Sequence, residues 1–475
     1  MDIAIINTKL LTFEGRGLGI INDGGLAIEN GKITFVGKTT NFEYQSADHI
    51  IDGSNLLTMP GLINSHIHTS ETLLRGAAQD LPESEWMNKG FGPFKKHLGI
   101  EGMVAGAQLG VLEGIRSGTT TFAEYETHVS SLVNNVYLPF KTRVVAIETI
   151  NEMASDRVKL KPTDLYELDS ELGKDPLKRA DALFKDFQDH PLVTSMYGPQ
   201  ALDMVSEETL EIVQAKAKEK KCKIHMHIAQ GNRERTQIEK RYGKGATTIS
   251  ILNDRNFLDE NLVAAHIHDT TIEERELMVQ KDVKMVGCPS SISCIDGILP
   301  PIGHYLKLGG TAAIGTDQAP GPGHHNLFLE LKLASIGTKI ISKDPTALPP
   351  WESIKLVTIN GAKVLGLDQK IGSLKVGKNA DVITLNLKKL NLVPVIDNPF
   401  HTIIPNLVYS TNGSEVNNVI INGDFVIKDN EFTSLNVEEI TSDVSKKAKL
   451  IFEAATDEWK EADSRMVKYY KKGFL

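Results

Sequence analysis

The chain has 475 residues, 41% hydrophobic and 24% charged, the proportions of a globular protein with ample material for a core. A net charge of −9, from 61 acidic against 52 basic residues, and the lack of a basic stripe interleaved with aromatics argue against a nucleic acid polymer as partner. No apolar run is long enough to span a bilayer and the stretch from Met1 to Lys9 lacks the layout of a signal peptide, so no membrane partner and a cytoplasmic location are expected. The three cysteines, Cys222, Cys288 and Cys294, form no C-x-x-C pair, which sets aside a disulfide framework or a thiolate metal site.

The first 56 residues read as short strands, Ile3–Asn7, Leu26–Glu29 and Ile33–Val36, the last two joined by a hairpin turn at Asn30-Gly31-Lys32. From about residue 57 to residue 365, apolar strand-like runs alternate with helical patterns, the signature of a parallel α/β architecture. The runs fall at 57–66, 119–125, 143–150, 193–199, 222–229, 262–269, 283–289 and 311–317, and helical candidates such as Glu101–Arg116, Ser206–Lys220, Thr271–Gln280 and Asn326–Ile341 lie between them. Eight units favour a closed (β/α)8 TIM-type barrel over an open sheet. Strand texture returns in Gly372–Lys378, Ala380–Leu385 and Val419–Ile427. The expected architecture is therefore a small β-sandwich-like domain built from both chain ends, residues 1–56 plus 366–430, with the barrel, residues 57–365, inserted in it. Residues 431–475 read as a charged helical extension that packs on the parent fold or docks on a second subunit.

Four short motifs fall at the ends of these runs: Asn64-Ser65-His66-Ile67-His68, His225-Met226-His227, Ala265-His266 and Gly315-Thr316-Asp317. The strand period of two places His66 and His68 on one side, and His225 and His227 likewise. One histidine at a strand end is more often a satisfied core residue than a ligand. Several imidazoles and a carboxylate at the C-terminal rim, where barrel active sites form, would be costly to bury without a metal or substrate. One divalent-metal site explains them together.

The order P-G-L-I-N-S-H-I-H, H-I-A, A-A-H and G-T-D resembles the amidohydrolase superfamily. The stretch Thr72–Leu81 with Glu85-Trp86 is similar to its nucleobase deaminase and s-triazine hydrolase branch, which includes chlorohydrolases and S-adenosylhomocysteine deaminases. The resemblance extends to about residue 430. It implies that His66, His68, His227 and Asp317 hold one divalent ion, zinc first with iron or manganese as alternatives, and that the family spacing selects His227 over His225. Strand four, Val193–Pro199, has no lysine to be carboxylated as a bridge, which favours one metal over two. An ion in such a site lowers the pKa of bound water from about 16 to roughly 7. Asp317 then serves as general base and returning acid, and His266 orients water and stabilises charge on the attacked centre. The implied reaction is hydrolytic displacement of ammonia, an amine or halide from a small nitrogen heterocycle of s-triazine, pterin, purine or pyrimidine type.

Two positions depart from the deaminase pattern. Where those relatives carry a proton-transferring glutamate this chain has Gln230, and glutamine orients by hydrogen bonds but carries no proton at ordinary pH. Either nearby Glu234 substitutes, or Asp317 handles every transfer, or the substrate is already cationic, a guanidino or amidine group. Gln200 stands where the adenosylhomocysteine deaminases carry a nucleoside-holding histidine. Trp86, Tyr125, Gln200 and Glu234 are candidate substrate contacts, because an aromatic face plus an amide grips a flat heterocycle. Glu124 and Glu126 share a strand face and either both matter or both are solvated, while His324-His325 reads as a substrate contact or a loop before a helix capped by Asn326. A cyclic amide substrate, or a silent barrel kept as a binding scaffold, are the alternatives to heterocycle hydrolysis; a homodimer or larger homo-oligomer is expected.

Overall fold

A computed structural model describes residues 1–154, 160 and 164–475. One of its two sheets is a parallel barrel of β1 (Leu62–His68), β2 (Thr119–Glu126), β3 (Arg143–Ile150), β4 (Val193–Pro199), β5 (Ile224–Ile228), β6 (Leu262–His266), β7 (Lys284–Gly287) and β8 (Thr311–Ile314), each paired with its neighbours in sequence order. Every residue of β2 and β3 is buried, as expected for strands covered on both faces.

Closure depends on a break in the last strand. Thr311–Ile314 pairs with β7, the chain kinks at Gly315-Thr316, and Asp317-Gln318 then pairs in parallel with Ile67 and His68 of β1. Gly315 permits the kink: a Cβ there would lie 2.5 Å from the His66 carbonyl oxygen and 2.7 Å from the His66 Cβ. Three of the helices read from the sequence begin at their caps, with Ser206 accepting from the Thr209 amide, Thr271 and Glu274 forming a capping box, and Asn326 accepting from the Phe328 amide.

The second sheet joins the chain ends in one continuous nine-stranded array. Ile3–Leu11, Ile20–Glu29, Lys32–Lys38, His49–Asp52 and Leu56–Pro60 come from the start, and Val382–Asn386, Val416–Ile421, Asp424–Lys428 and Glu431-Phe432 from the return. The predicted hairpin turn has Asn30 at φ 50° and Gly31 at φ 73°, the left-handed pair that a tight twisted hairpin requires. The seam is the antiparallel pairing of Leu56–Pro60 with Val382–Asn386.

The structure departs from the sequence reading at two places. The run read as 57–66 is two strands in two sheets, divided at Gly61, where a Cβ would meet the Thr120 side chain at 2.1 Å and the amide donates to the Asp381 carbonyl. Within the return segment, Gly372–Lys378 forms turns rather than a strand, and a helix that the sequence reading did not place, Ile403–Tyr409, buries Ile403, Ile404, Leu407 and Val408 on one face. A buried ion pair ties the two sheets together: the Arg143 guanidinium of β3 donates to both carboxylate oxygens of Asp381 at 2.6 and 3.0 Å. The C-terminal helices Val437–Ala454, Thr456–Glu461 and Arg465–Lys471 pack on the parent fold, with Ile451 seated where Gly102 leaves room on the helix Gly99–Arg116. Among the described residues no single helix is long and apolar enough to cross a membrane.

Candidate metal centre

The strand ends bring the ligand candidates to one point at the C-terminal rim. His66 and His68 end β1, His227 lies on β5, His266 ends β6, and Asp317 follows the kink after β8. The Nε2 atoms of His66 and His227 are 3.2 Å apart, and Asp317 Oδ1 lies 3.5 Å from His66 Nε2 and 3.4 Å from His68 Nε2. Two ligands 2.0–2.1 Å from a common ion at a tetrahedral angle lie about 3.4 Å apart, so these spacings fit a zinc-sized ion. His266 joins the same cluster, its ligand nitrogen within 4.8 Å of those of His66 and His227. Asp317 and His266 have φ of 61° and 80°, left-handed conformations that non-glycine residues keep only where the surroundings impose them.

Contacts behind the ligands fix their orientation. His227 Nδ1 lies 2.9 Å from the Gln200 carbonyl oxygen, which assigns the hydrogen to Nδ1 and the lone pair to Nε2. His66 Nδ1 lies 3.1 Å from His225 Nε2, so His225 stands behind a ligand and outside the Nε2 cluster. Ser291 Oγ donates to Asp317 Oδ2 at 2.5 Å, leaving Oδ1 for the histidines. Burial pushes His66 down and His225 and His227 well below the ordinary imidazole range, and takes His266 to about 3, so the rings are neutral and their lone pairs available at pH 7. Burial works to raise Asp317, but His66, His266 and His68 outweigh it and hold the carboxyl well below its usual range.

A cavity of about 420 Å³ opens over this cluster, with His68, His227, His266 and Asp317 on its floor and Trp86, Gln200 and Gln230 in its walls. Its size suits a small organic molecule. Trp86 stacks on Phe91 at 5.3 Å, and its indole N–H has no protein partner among the described residues. Two expected contacts are not in the walls. Tyr125 is fully buried, its hydroxyl donating to the carbonyls of Gly198 and Pro199 at 2.9 and 2.8 Å while its ring packs behind His66, His68 and His227. Glu234 is also fully buried; its carboxylate accepts from the amides of Ala229 and Gln230, the Gln230 side chain and Thr248, so it holds Gln230 in place from behind.

Neither Glu124 nor Glu126 is solvated. Glu124 accepts from the Thr69 amide and hydroxyl and from Tyr137, and burial pushes it up to about 7. Glu126 accepts from Ser70 and lines the cavity beside Glu71 and Lys95, whose ammonium lies 3.0 Å from Glu71. His325 is buried between Thr72 and Thr316 at 2.9 and 3.0 Å, and His324 lies against Ser290; both are structural, and Asn326 caps the next helix. Glu71 and Ser291 escaped the sequence reading, while Glu126 was read there only as one of a pair with an open role. All three follow or close barrel strands at the functional end, a placement that marks them once the strands are assigned.

Neutral imidazoles and a carboxylate around an ion-sized gap, beneath a cavity at the functional rim of a closed parallel barrel, define a metal-dependent hydrolase. The chain belongs to the amidohydrolase family, whose sequence profile matches residues 57–426. It is 31% identical over 431 residues to a 5-methylthioadenosine/S-adenosylhomocysteine deaminase of Moorella thermoacetica, covering 90% of this chain and 95% of that one. To a 5'-deoxyadenosine deaminase of Methanosarcina barkeri it is 33% identical over 451 residues, covering 94% and 98%. A zinc-bound adenosine deaminase of Xanthomonas campestris superposes with a TM-score of 0.86 at 25% identity, covering 95% and 98%. A zinc complex of atrazine chlorohydrolase from Arthrobacter aurescens shares the fold, with a TM-score of 0.82 at 20% identity, covering 94% and 100%.

Proposed function

We propose that this enzyme uses a single divalent ion, zinc in preference to iron or manganese, to displace ammonia, an amine or halide from a ring carbon of a small nitrogen heterocycle. The observation that carries the reading is that His66 Nε2 lies 3.2 Å from His227 Nε2, and Asp317 Oδ1 lies 3.5 Å from His66 and 3.4 Å from His68, at the foot of a cavity. The zinc-bound adenosine deaminase and the deoxyadenosine deaminase relatives support zinc and a purine-type ring. When bound, the ion supplies an acidified water and a polarising charge. Asp317, ionised and anchored by Ser291, takes the proton of the attacking water and returns it to the leaving group. His266 sits in the cluster and reaches the cavity lining, where its ring stabilises charge that develops on the attacked centre. Trp86 offers a flat face, and Gln230 and Gln200 offer amides that orient the ring edge.

A second reading, a cationic amidine or guanidino substrate, is favoured by one observation. Gln230 carries no proton, while the carboxylates of Glu71 and Glu126 line the wall next to His68. A screen for release of ammonia, amine or halide over purine nucleosides, s-triazines, pterins, pyrimidines and guanidino compounds, with zinc, iron or manganese added, decides between them. Release from neutral rings alone supports the first reading and release from guanidino compounds alone the second; release of no ammonia, amine or halide from either class refutes both. If Gln230→Glu raised turnover of neutral rings without harming the preferred substrate, the cationic reading would lose its basis.

A further inference from the structure

One wall of the cavity is held from outside by the end of the chain. Residues 83–96 supply Glu83, Trp86, Met87, Phe91 and Lys95 to the lining. Locally this segment has little to fix it: a three-residue helix, a wide π-type turn over Trp86–Phe91 and a four-residue helix, interrupted by Gly90 and Gly92. Pieces this short do not hold their shape alone, and π turns persist where neighbours impose them.

Arg233 holds Glu83 at 2.5 Å and Glu71 holds Lys95 at 3.0 Å, and the outer side of the segment is covered by the three C-terminal helices. Phe452 packs on Phe94 with ring centroids 4.6 Å apart, and Trp459 approaches the same ring at 6.4 Å. Glu458 reaches Lys96 at 3.1 Å and His97 at 3.4 Å. The Arg465 amide donates to Glu85 at 2.5 Å and its guanidinium lies 3.4 Å from the same carboxylate. The ionic contacts are half-exposed and contribute little alone, so the aromatic contact carries the fit and the charges set its register. No residue of the C-terminal helices lines the cavity.

We propose that Phe452, Glu458 and Arg465 are positioning residues: the C-terminal helices form a brace, supplied by the same chain, that holds the 83–96 wall at the distance a substrate needs. This rests on the cavity being the substrate site. Loosening the brace moves Trp86 and Lys95 without touching the ligands, so it alters substrate affinity and spares the metal.

The test uses the full chain loaded with zinc, comparing wild type with Phe452→Ala, Phe452→Leu and the double variant Glu458→Ala/Arg465→Ala. Hydrogen–deuterium exchange of peptides covering 83–98 is measured beside zinc content and steady-state kinetics on 5'-deoxyadenosine. For Phe452→Ala, faster exchange in 83–98 with the barrel strands unchanged, zinc retained, a KM raised about ten-fold and kcat within about two-fold are expected. Phe452→Leu, which keeps an apolar face against Phe94, should recover most of the protection. Unchanged exchange in 83–98 overturns the brace, as does faster exchange with an unmoved KM. A wild type that turns over no 5'-deoxyadenosine counts against the substrate reading and leaves exchange to decide the brace. Should Phe452→Ala fail to fold, Phe452→Val, a smaller truncation against the same Phe94 ring, carries the same comparison, and the double variant, which alters only partly exposed charges, should show a smaller change in the same direction.

Discussion

The Nδ1 atom of His227 lies 2.9 Å from the backbone carbonyl oxygen of Gln200, and this contact decides which nitrogen can bind a metal. A carbonyl only accepts, so the lone pair is left on Nε2, which faces His66. Because the acceptor is main chain, Gln200→Ala should keep zinc content within about two-fold of wild type and express its defect in KM. Loss of most of the zinc would instead assign the orienting role to the side-chain amide, which lies 3.3 Å from the same nitrogen.

Among the described residues, Ser291 alone donates a hydrogen bond to Asp317 Oδ2. Ser291→Ala is expected to weaken zinc about 10–100-fold, the usual effect of losing a contact behind a ligand, with Ser291→Thr close to wild type. Competition against a chromogenic chelator measures this. Equal affinities for all three proteins would remove the serine from the site.

Metal removal should be visible in stability. An ion present at a hundred times its Kd stabilises a fold by about 2.7 kcal/mol, so chelation should lower Tm and zinc restore it. Asp317→Asn should respond weakly to both treatments. A wild-type protein that holds less than about one-tenth equivalent of metal and takes up none on addition would return the scaffold alternative to consideration.

Burial pushes Glu330 up to about 8, while its Oε2 accepts from the Ser290 amide. The unfolded chain loses this proton near the ordinary value of 4.5, so between 4.5 and 8 the folded state binds more protons and stability falls as pH rises. His324, pushed to about 4 by burial and by Arg75, has the opposite sign: its contribution is complete above 6.5 and is lost as pH falls towards 4. From pH 6.5 to 8 the glutamate acts without that opposition. Glu330→Gln should flatten the decline there and raise stability at pH 8 by on the order of 2 kcal/mol. Urea melts at several pH values with parallel slopes for both proteins would contradict it.

Removing one partner of the buried pair between Arg143 and Asp381 strands the other charge at the junction of the sheets. Asp381→Ala is expected to cost about 3–5 kcal/mol in chemical denaturation. A loss below about 1 kcal/mol would mean that water reaches the guanidinium once the carboxylate is gone.

The gathering of the candidate ligands at one rim was legible in the sequence because strand period and barrel polarity act on single residues: an H-x-H that ends a strand must present both rings on one side, whereas the preference for His227 over His225 came from the family resemblance. Tyr125 and Glu234 were misread because where a long polar side chain ends depends on neighbours remote in sequence. The Tyr125 hydroxyl finds carbonyls of β4, and the Glu234 carboxylate folds back onto the backbone of its own loop. The change of sheet at Gly61 was passed over although Pro60-Gly61 is a turn-type pair, because the mostly apolar run from Leu56 to Ile63, with Thr58 its one polar side chain, reads as a single strand until the close passage beside Thr120 is seen. The helix Ile403–Tyr409 was overlooked for a related reason, since a short apolar run between strands fits either period.

The split eighth strand makes barrel closure and completion of the ligand set one event. Asp317 reaches the histidines only by the hydrogen bonds that join the last strand to the first, so a chain whose barrel has not closed offers imidazoles without their carboxylate. Ion affinity thereby becomes a record of assembly: tight binding selects molecules in which all eight strands have found their places, and a population that closes badly would show itself as metal-poor before it showed itself as unfolded.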